Sequence, residues 1–284
     1  MAPPSPTTLA DLLSAFSSFL TISIHSILYH RSLYPSTTFL TARAYNYPVH
    51  QSRHPLVCQW INDAISAVEE QLLKGLQSTA LDLKYARNER VERVVLVVYG
   101  PVPEKLPSTT NSGSDGGSDS FASLESSKSN TSSNEERTRD RPLERYIFDT
   151  SRFPIVPRGE AHTPVEAFVK MQVDLEEQFR GSLARLQQRC QKLSALPKGC
   201  TYTLAMELAD EGAAPVGHPQ AWVPVQPGMQ RVKGGEAGEE GKGGRSVPVG
   251  SVRADQLMFE MWIEEGKAKL EMARRGMRAT VEDG

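Results

Sequence analysis

Apolar residues at Leu9, Leu12, Leu13, Phe16, Phe19, Leu20, Ile24, Ile27 and Leu28 recur three or four apart, the spacing that lays one stripe along a helix. Pro35 marks its end, because proline has no amide hydrogen to continue the ladder. A second stripe runs through Leu56, Trp60, Ile61, Ala64, Ile65, Val68, Leu72 and Leu73, with Pro55 in its first turn and Gly75 as a stop. The run 91–99 (VERVVLVVY) is β-branched and almost wholly apolar, which predicts a central strand buried on both faces. Alternation returns at 143–150 (LERYIFDT) and predicts a strand pairing with 91–99 as a hairpin with an overgrown loop.

Thr163, Pro164 and Glu166 make a capping box with proline at the first helical position. Val165, Phe168, Met171, Leu175, Phe179, Leu183 and Leu186 then predict a third helix that stops before Pro197. A strand follows at 200–208 (CTYTLAMEL). In 247–263, Leu257, Phe259, Met261 and Ile263 alternate with Met258, Glu260 and Trp262, the period of a strand with one buried face.

Between these elements the composition shifts. Residues 107–141 are Ser, Gly, Asn and Thr with scattered charge, and 233–244 are Gly-rich. Both read as disordered insertions, since neither can bury enough apolar surface to offset the entropy of ordering. The tail 266–284, with Lys267, Lys269, Arg274, Arg275 and Arg278, reads as a solvated basic helix end. The 284 residues are 39% hydrophobic, below the ~45–50% of a compact chain, which agrees with sizeable unstructured insertions. Lys plus Arg is 32 and Asp plus Glu is 34, a net charge of -2, so the cationic field that drives DNA binding is missing. Three scattered cysteines, Cys58, Cys190 and Cys200, make no disulfide framework and point to a reducing compartment. The stretch 9–29 is broken by Asp11, His25 and several hydroxyl residues. It is expected to fall short of a membrane span and, with no Lys or Arg before it, of a secretory signal.

Little catalytic chemistry stands out. His50, His54 and Cys58 are spaced by four, but Pro55 starts the helix after His54 and no fourth ligand is near, so a zinc site is not expected. GGEAGEEGKGG follows no apolar strand and opens no amphipathic helix, unlike a phosphate loop. No nucleophile elbow is present. These points predict a non-enzyme without a metal or cofactor. The long segment 209–246 is poor in core residues yet holds a lone Trp222, which suggests either docking to something or a surface anchor for the loop.

Four runs, ILYHRSLYPSTTF (27–39), YNYPVHQSRHP (45–55), PKGCTYTLAMEL (197–208) and VPVGSVRADQLMFEMWIEE (247–265), resemble the HORMA-domain family in the family's order. Tyr34-Pro35, Tyr45-Asn46 and the turn Gly199-Cys200-Thr201 are its most specific details. The match spans 9–265, and within the family it is greatest to the accessory subunits of translesion polymerases. The resemblance implies an α+β fold with three helices on an antiparallel sheet, after a disordered 1–8. It also implies a C-terminal safety belt, 209–265, which closes around an extended partner peptide. Its expected partner is a Pro-rich peptide of the catalytic subunit of DNA polymerase zeta, held by Trp60 and Trp222, with Pro224 where the family has an aliphatic contact. Ser246, Glu260 and Trp262 fall where the family meets the C-terminal domain of the deoxycytidyl-transferase scaffold polymerase, the first two being departures from its pattern. Arg180 matches a dimerisation surface, which leaves room for a homodimer, and an AAA+ remodelling ATPase is a further family partner. The implied setting is DNA damage tolerance in the nucleus. A spindle-checkpoint HORMA protein that clamps regulators of the anaphase-promoting complex is the alternative.

Overall fold

A capping box that sequence reading did not anticipate opens α1 (Leu9–His30). The Thr8 hydroxyl accepts from the Asp11 amide and the Asp11 carboxylate accepts from the Thr8 amide, both at 3.1 Å, satisfying donors that a helix start leaves bare. The computed structural model describes residues 8–78, 90–101, 142–157, 159–162, 172–209, 244–254 and 257–282. After α1 come the hairpin β1 (Phe39–Ala44) and β2 (Tyr47–Ser52), and then α2 (Pro55–Leu76) with proline in its first turn. Two short strands, β3 (Gln77–Ser78) and β6 (Val156–Pro157), pair in parallel.

The main sheet contains β4 (Val91–Tyr99), β5 (Pro142–Asp149), β7 (Thr201–Leu208), β8 (Arg245–Ala254) and β9 (Leu257–Glu265) in the order β7-β4-β5-β9-β8, every pair antiparallel. The expected pairing of 91–99 with 143–150 is present, Val94 opposite Phe148 and Leu96 opposite Tyr146. α3 (Gln172–Lys192) ends before Pro197. Its expected capping box at Thr163, Pro164 and Glu166, and Val165, Phe168 and Met171, lie outside the described residues.

Alternation sorts the side chains. Val94, Leu96, Val98, Tyr146, Phe148, Phe259, Met261 and Ile263 join the helices in one core. Val95, Val97 and Ile147 form a smaller buried patch on the other face with Tyr99, Ala205 and Trp262, so the central strands are buried on both sides. In the main core Phe19 stacks on Phe179 at 4.6 Å, while Phe16 meets Phe259 and Phe153 edge-on at 5.1 and 5.0 Å. Such pairs add ~0.5–1.5 kcal/mol to their area burial and fix α1 between the sheet and α3.

Three expectations need correction. By length and composition α1 does pass as a membrane span, and 67% of its apolar window is buried inside the protein, as in a core helix. Residues 247–263 fold as two antiparallel strands, Ala254 opposite Leu257, and Gly250, with φ at +145°, sits at a register shift within the first. The tail from 266 is not simply solvated: Lys267–Glu282 form a helix, α4, whose Lys269 is 2% exposed.

Candidate functional site

Strand β7 is hydrogen bonded to β4 on one side, and among the described residues nothing pairs with its other side. Such an edge presents a row of amides and carbonyls that can template a further strand. Tyr202 on β7 is the hub beside it. Its hydroxyl lies 3.1 Å from that of Tyr34, and its ring meets Trp60 edge-on at 5.1 Å. Burial, with the Tyr34 hydrogen bond, pushes the Tyr202 phenol well above its ordinary pKa, so it stays neutral. Helix α2 delivers the half-buried Trp60, and Leu56, one turn earlier, is 68% exposed. Residues four apart share a helix face, so Leu56 extends the apolar surface that Trp60 begins.

The chain path around this edge follows from the registers. Leu208 leaves β7 at the level of Val91, the end of the sheet marked by Asp149, Glu260 and Ser251. The chain re-enters at Arg245, opposite Glu265 and Glu144, at the other end and the other edge. Across the sheet alone, four inter-strand steps, about 19 Å at ~4.8 Å each, lie between exit and re-entry, besides the length of the strands. Trp222 and Pro224 belong to the intervening segment and lie outside the described residues.

Ser246, Glu260 and Trp262 share the outer face of the β8–β9 hairpin. Ser246 is exposed and opposite Glu264, and Glu260 pairs with Arg152 at 3.6 Å. The Trp262 Nε1–H donates to Glu264 at 2.9 Å, and the Arg93 guanidinium lies 5.0 Å from its ring centre. A charge ladder crosses this face, with Arg93 on Asp149 at 3.2 Å and Glu207 at 3.5 Å, and Arg145 on Glu207 at 2.6 Å and Glu264 at 3.1 Å. Arg180 lies on α3, 39% exposed, with Glu177 at 2.7 Å.

The histidine series is dispersed among structural duties. His50 stacks on Tyr29 at 3.5 Å, His54 is the N-cap of α2, and the Cys58 thiol donates to the Ser52 carbonyl at 3.1 Å. Sequence reading missed Tyr202, Tyr34 and Leu56 as site residues. The signal for Tyr202 was present: a phenol on the inward phase of a strand needs a polar partner.

A helix layer on an antiparallel sheet, with a C-terminal hairpin docked beside β5 and β7 at the other edge of the described sheet, defines the class: this is the HORMA fold. A chain of a mitotic checkpoint complex superposes with a TM-score of 0.52 at 14% identity, covering 89% of this chain and 98% of that one. The structure of HTP-2 bound to HTP-3 motif-6 gives 0.53 at 12% identity, covering 93% of each. In sequence, the chain is similar to the DNA polymerase zeta processivity subunit of Schizosaccharomyces pombe, 27% identical over 250 residues, 88% of this chain and 91% of the relative. It is also similar to the mitotic spindle assembly checkpoint protein MAD2B of Danio rerio, 23% identical over 265 residues, 92% of each. No family model matches the chain. Its relatives are thus a processivity subunit of a DNA polymerase and a spindle assembly checkpoint protein.

Proposed function

We propose that the chain is a non-catalytic, nuclear adaptor of DNA polymerase zeta, which captures a Pro-rich peptide of the catalytic subunit along β7 and bridges it to other translesion factors. The observation that carries this reading is the edge of β7 that no described residue pairs with, beside Trp60, Tyr202 and Leu56, with the chain leaving at that edge and returning at the opposite one. A peptide laid on the edge gains main-chain hydrogen bonds, and aromatic side chains fill the gaps between its prolines. The segment 209–265 then encloses it as a belt, with Trp222 the second aromatic and Pro224 beside it. Release requires the belt to open, so affinity is set by a slow off-rate. Ser246, Glu260 and Trp262 offer a separate face for the scaffold polymerase, and Arg180 a third for a second copy.

Calorimetric titration with an extended Pro-rich peptide from the same organism's polymerase zeta catalytic subunit tests the reading. Tight binding is expected, weakened by about 2 kcal/mol or more, roughly thirtyfold, in Trp60→Ala and in Trp222→Ala, the range of a buried aromatic hot spot. Unchanged affinity in both variants would sink the site assignment. The alternative, a checkpoint protein clamping regulators of the anaphase-promoting complex, draws support from the similarity to MAD2B. Preference for a spindle-regulator peptide over the polymerase peptide would favour it.

A further inference from the structure

Two buried carboxylates oppose each other where the C-terminal hairpin joins the rest of the sheet. Glu144 of β5 and Glu265 of β9 are register partners and are 0% and 3% exposed. Like charges directly opposite each other disfavour pairing of two strands, and more so out of contact with water. Docking β9 onto β5 therefore needs cations at this point.

The cations come from two directions. Arg31, just past the end of α1, grips Glu144 with Nε at 2.9 Å and Nη2 at 2.7 Å. Its guanidinium also donates to the Cys190 carbonyl at 2.9 Å and the Ser194 carbonyl at 2.6 Å. The Tyr146 hydroxyl donates to Glu144 at 2.6 Å. Four of the five Arg31 N–H groups are thus used, none of them on Glu265. That carboxylate accepts from Lys269 Nζ at 2.6 Å, and the same ammonium donates to Glu144. Arg245 stands 3.8 Å from Glu265 but is 67% exposed. Lys269 is brought here by a sharp joint: the Gly266 amide donates to the Leu143 carbonyl at 2.9 Å, and a β-carbon at Gly266 would collide with the Pro142 carbonyl oxygen.

We infer that α4 is a latch for the β8–β9 hairpin, with the Lys269 ammonium as the neutralising group that lets β9 dock beside β5. The charges divide cleanly. Arg31 with Glu144 is a neutral pair on the body of the fold, and Lys269 with Glu265, four residues apart, is a neutral pair on the C-terminal segment. The hairpin and α4 can leave together without stranding a buried charge in the body. Removal of Lys269 alone strands one negative charge in the docked state. This inference goes beyond peptide capture and does not depend on it.

Hydrogen–deuterium exchange on the full chain without peptide tests the latch. In Lys269→Met, the β8 and β9 amides are expected to exchange at least tenfold faster, with α1 and β4 little changed. Gly266→Ala, which alters no charge, is expected to do the same by displacing α4. The double variant Glu265→Gln with Lys269→Met restores neutrality and is expected to bring β9 protection back to within about threefold of the parent chain, a coupling that only a charge-based role produces. Unchanged β9 exchange in Lys269→Met, equal acceleration in α1 and β4, or a double variant as fast as the single one would each overturn the inference. Should Lys269→Met fail to fold, the double variant decides: a folded, protected hairpin supports the latch and an unfolded chain overturns it.

Discussion

His25 is 4% exposed inside α1, and its Nδ1 accepts from the Ser52 amide at 3.3 Å. Burial lowers its pKa to about 4, against ~6.5 for a free imidazole. Between those values the unfolded chain holds more protons than the folded one, so the contribution to stability is complete above pH ~6.5 and is lost as pH falls towards 4. Its full extent is at most about 3 kcal/mol. His30, lowered to about 4 by burial and by His50, adds to the same slope. Urea denaturation between pH 7.5 and 4.5 should therefore show a falling midpoint, and His25→Gln should reduce the slope by about one proton. An unaltered slope would mean that His25 is not held neutral. None of this was legible beforehand, because one histidine among apolar residues has the same local sequence whether or not an amide faces it.

At the scale of elements, the long helices and central strands were readable because their apolar period repeats over many residues. The β1–β2 hairpin was not. Only Phe39, Val49 and Ser52 of its twelve strand residues are buried, too few to produce an alternation. The turn holds it instead: Tyr45 and Asn46 both have positive φ, +49° and +56°, the pattern of a two-residue hairpin turn. Tyr45 also packs on Phe179 at 5.1 Å, which offsets the cost of a bulky residue in the left-handed region. Asn46→Ala is expected to cost about 1 kcal/mol in chemical denaturation and Asn46→Gly close to nothing. Equal costs would show that backbone conformation does not govern this turn.

Across the whole molecule Arg31 has a role that Lys269 lacks. It ties the end of α1 to β5, to the last turn of α3 and to the chain just after it through four donated hydrogen bonds, while its own charge is supported by Glu144. Although burial alone pushes the Glu144 carboxyl up, the hydrogen bonds and charges of Arg31 and Lys269 hold it below the ordinary carboxylate range. Arg31→Met leaves that charge with one cation for two carboxylates and is expected to cost ~3–5 kcal/mol. Thermal unfolding should record the loss as one cooperative drop. In exchange, protection should fall in α1, α3 and β5 together rather than in the hairpin alone. A small or hairpin-restricted loss would reassign Arg31 to the latch.

The sequence by itself determined the helices, the central strands and the order of parts that carries the resemblance, since these depend on periodicity and on short motifs. It also placed Trp60 within the apolar stripe of the second helix, and the resemblance made it a peptide contact. What came from the tertiary structure is that no described strand pairs with the outer edge of β7, that Tyr202 and Tyr34 meet beside Trp60, and that 247–263 is a hairpin docked beside β5. Strand order and edge pairing depend on contacts between residues far apart in the chain, and local pattern does not contain them. The same holds for Lys269: a lysine in a basic tail reads as solvated until the fold sets two carboxylates against it.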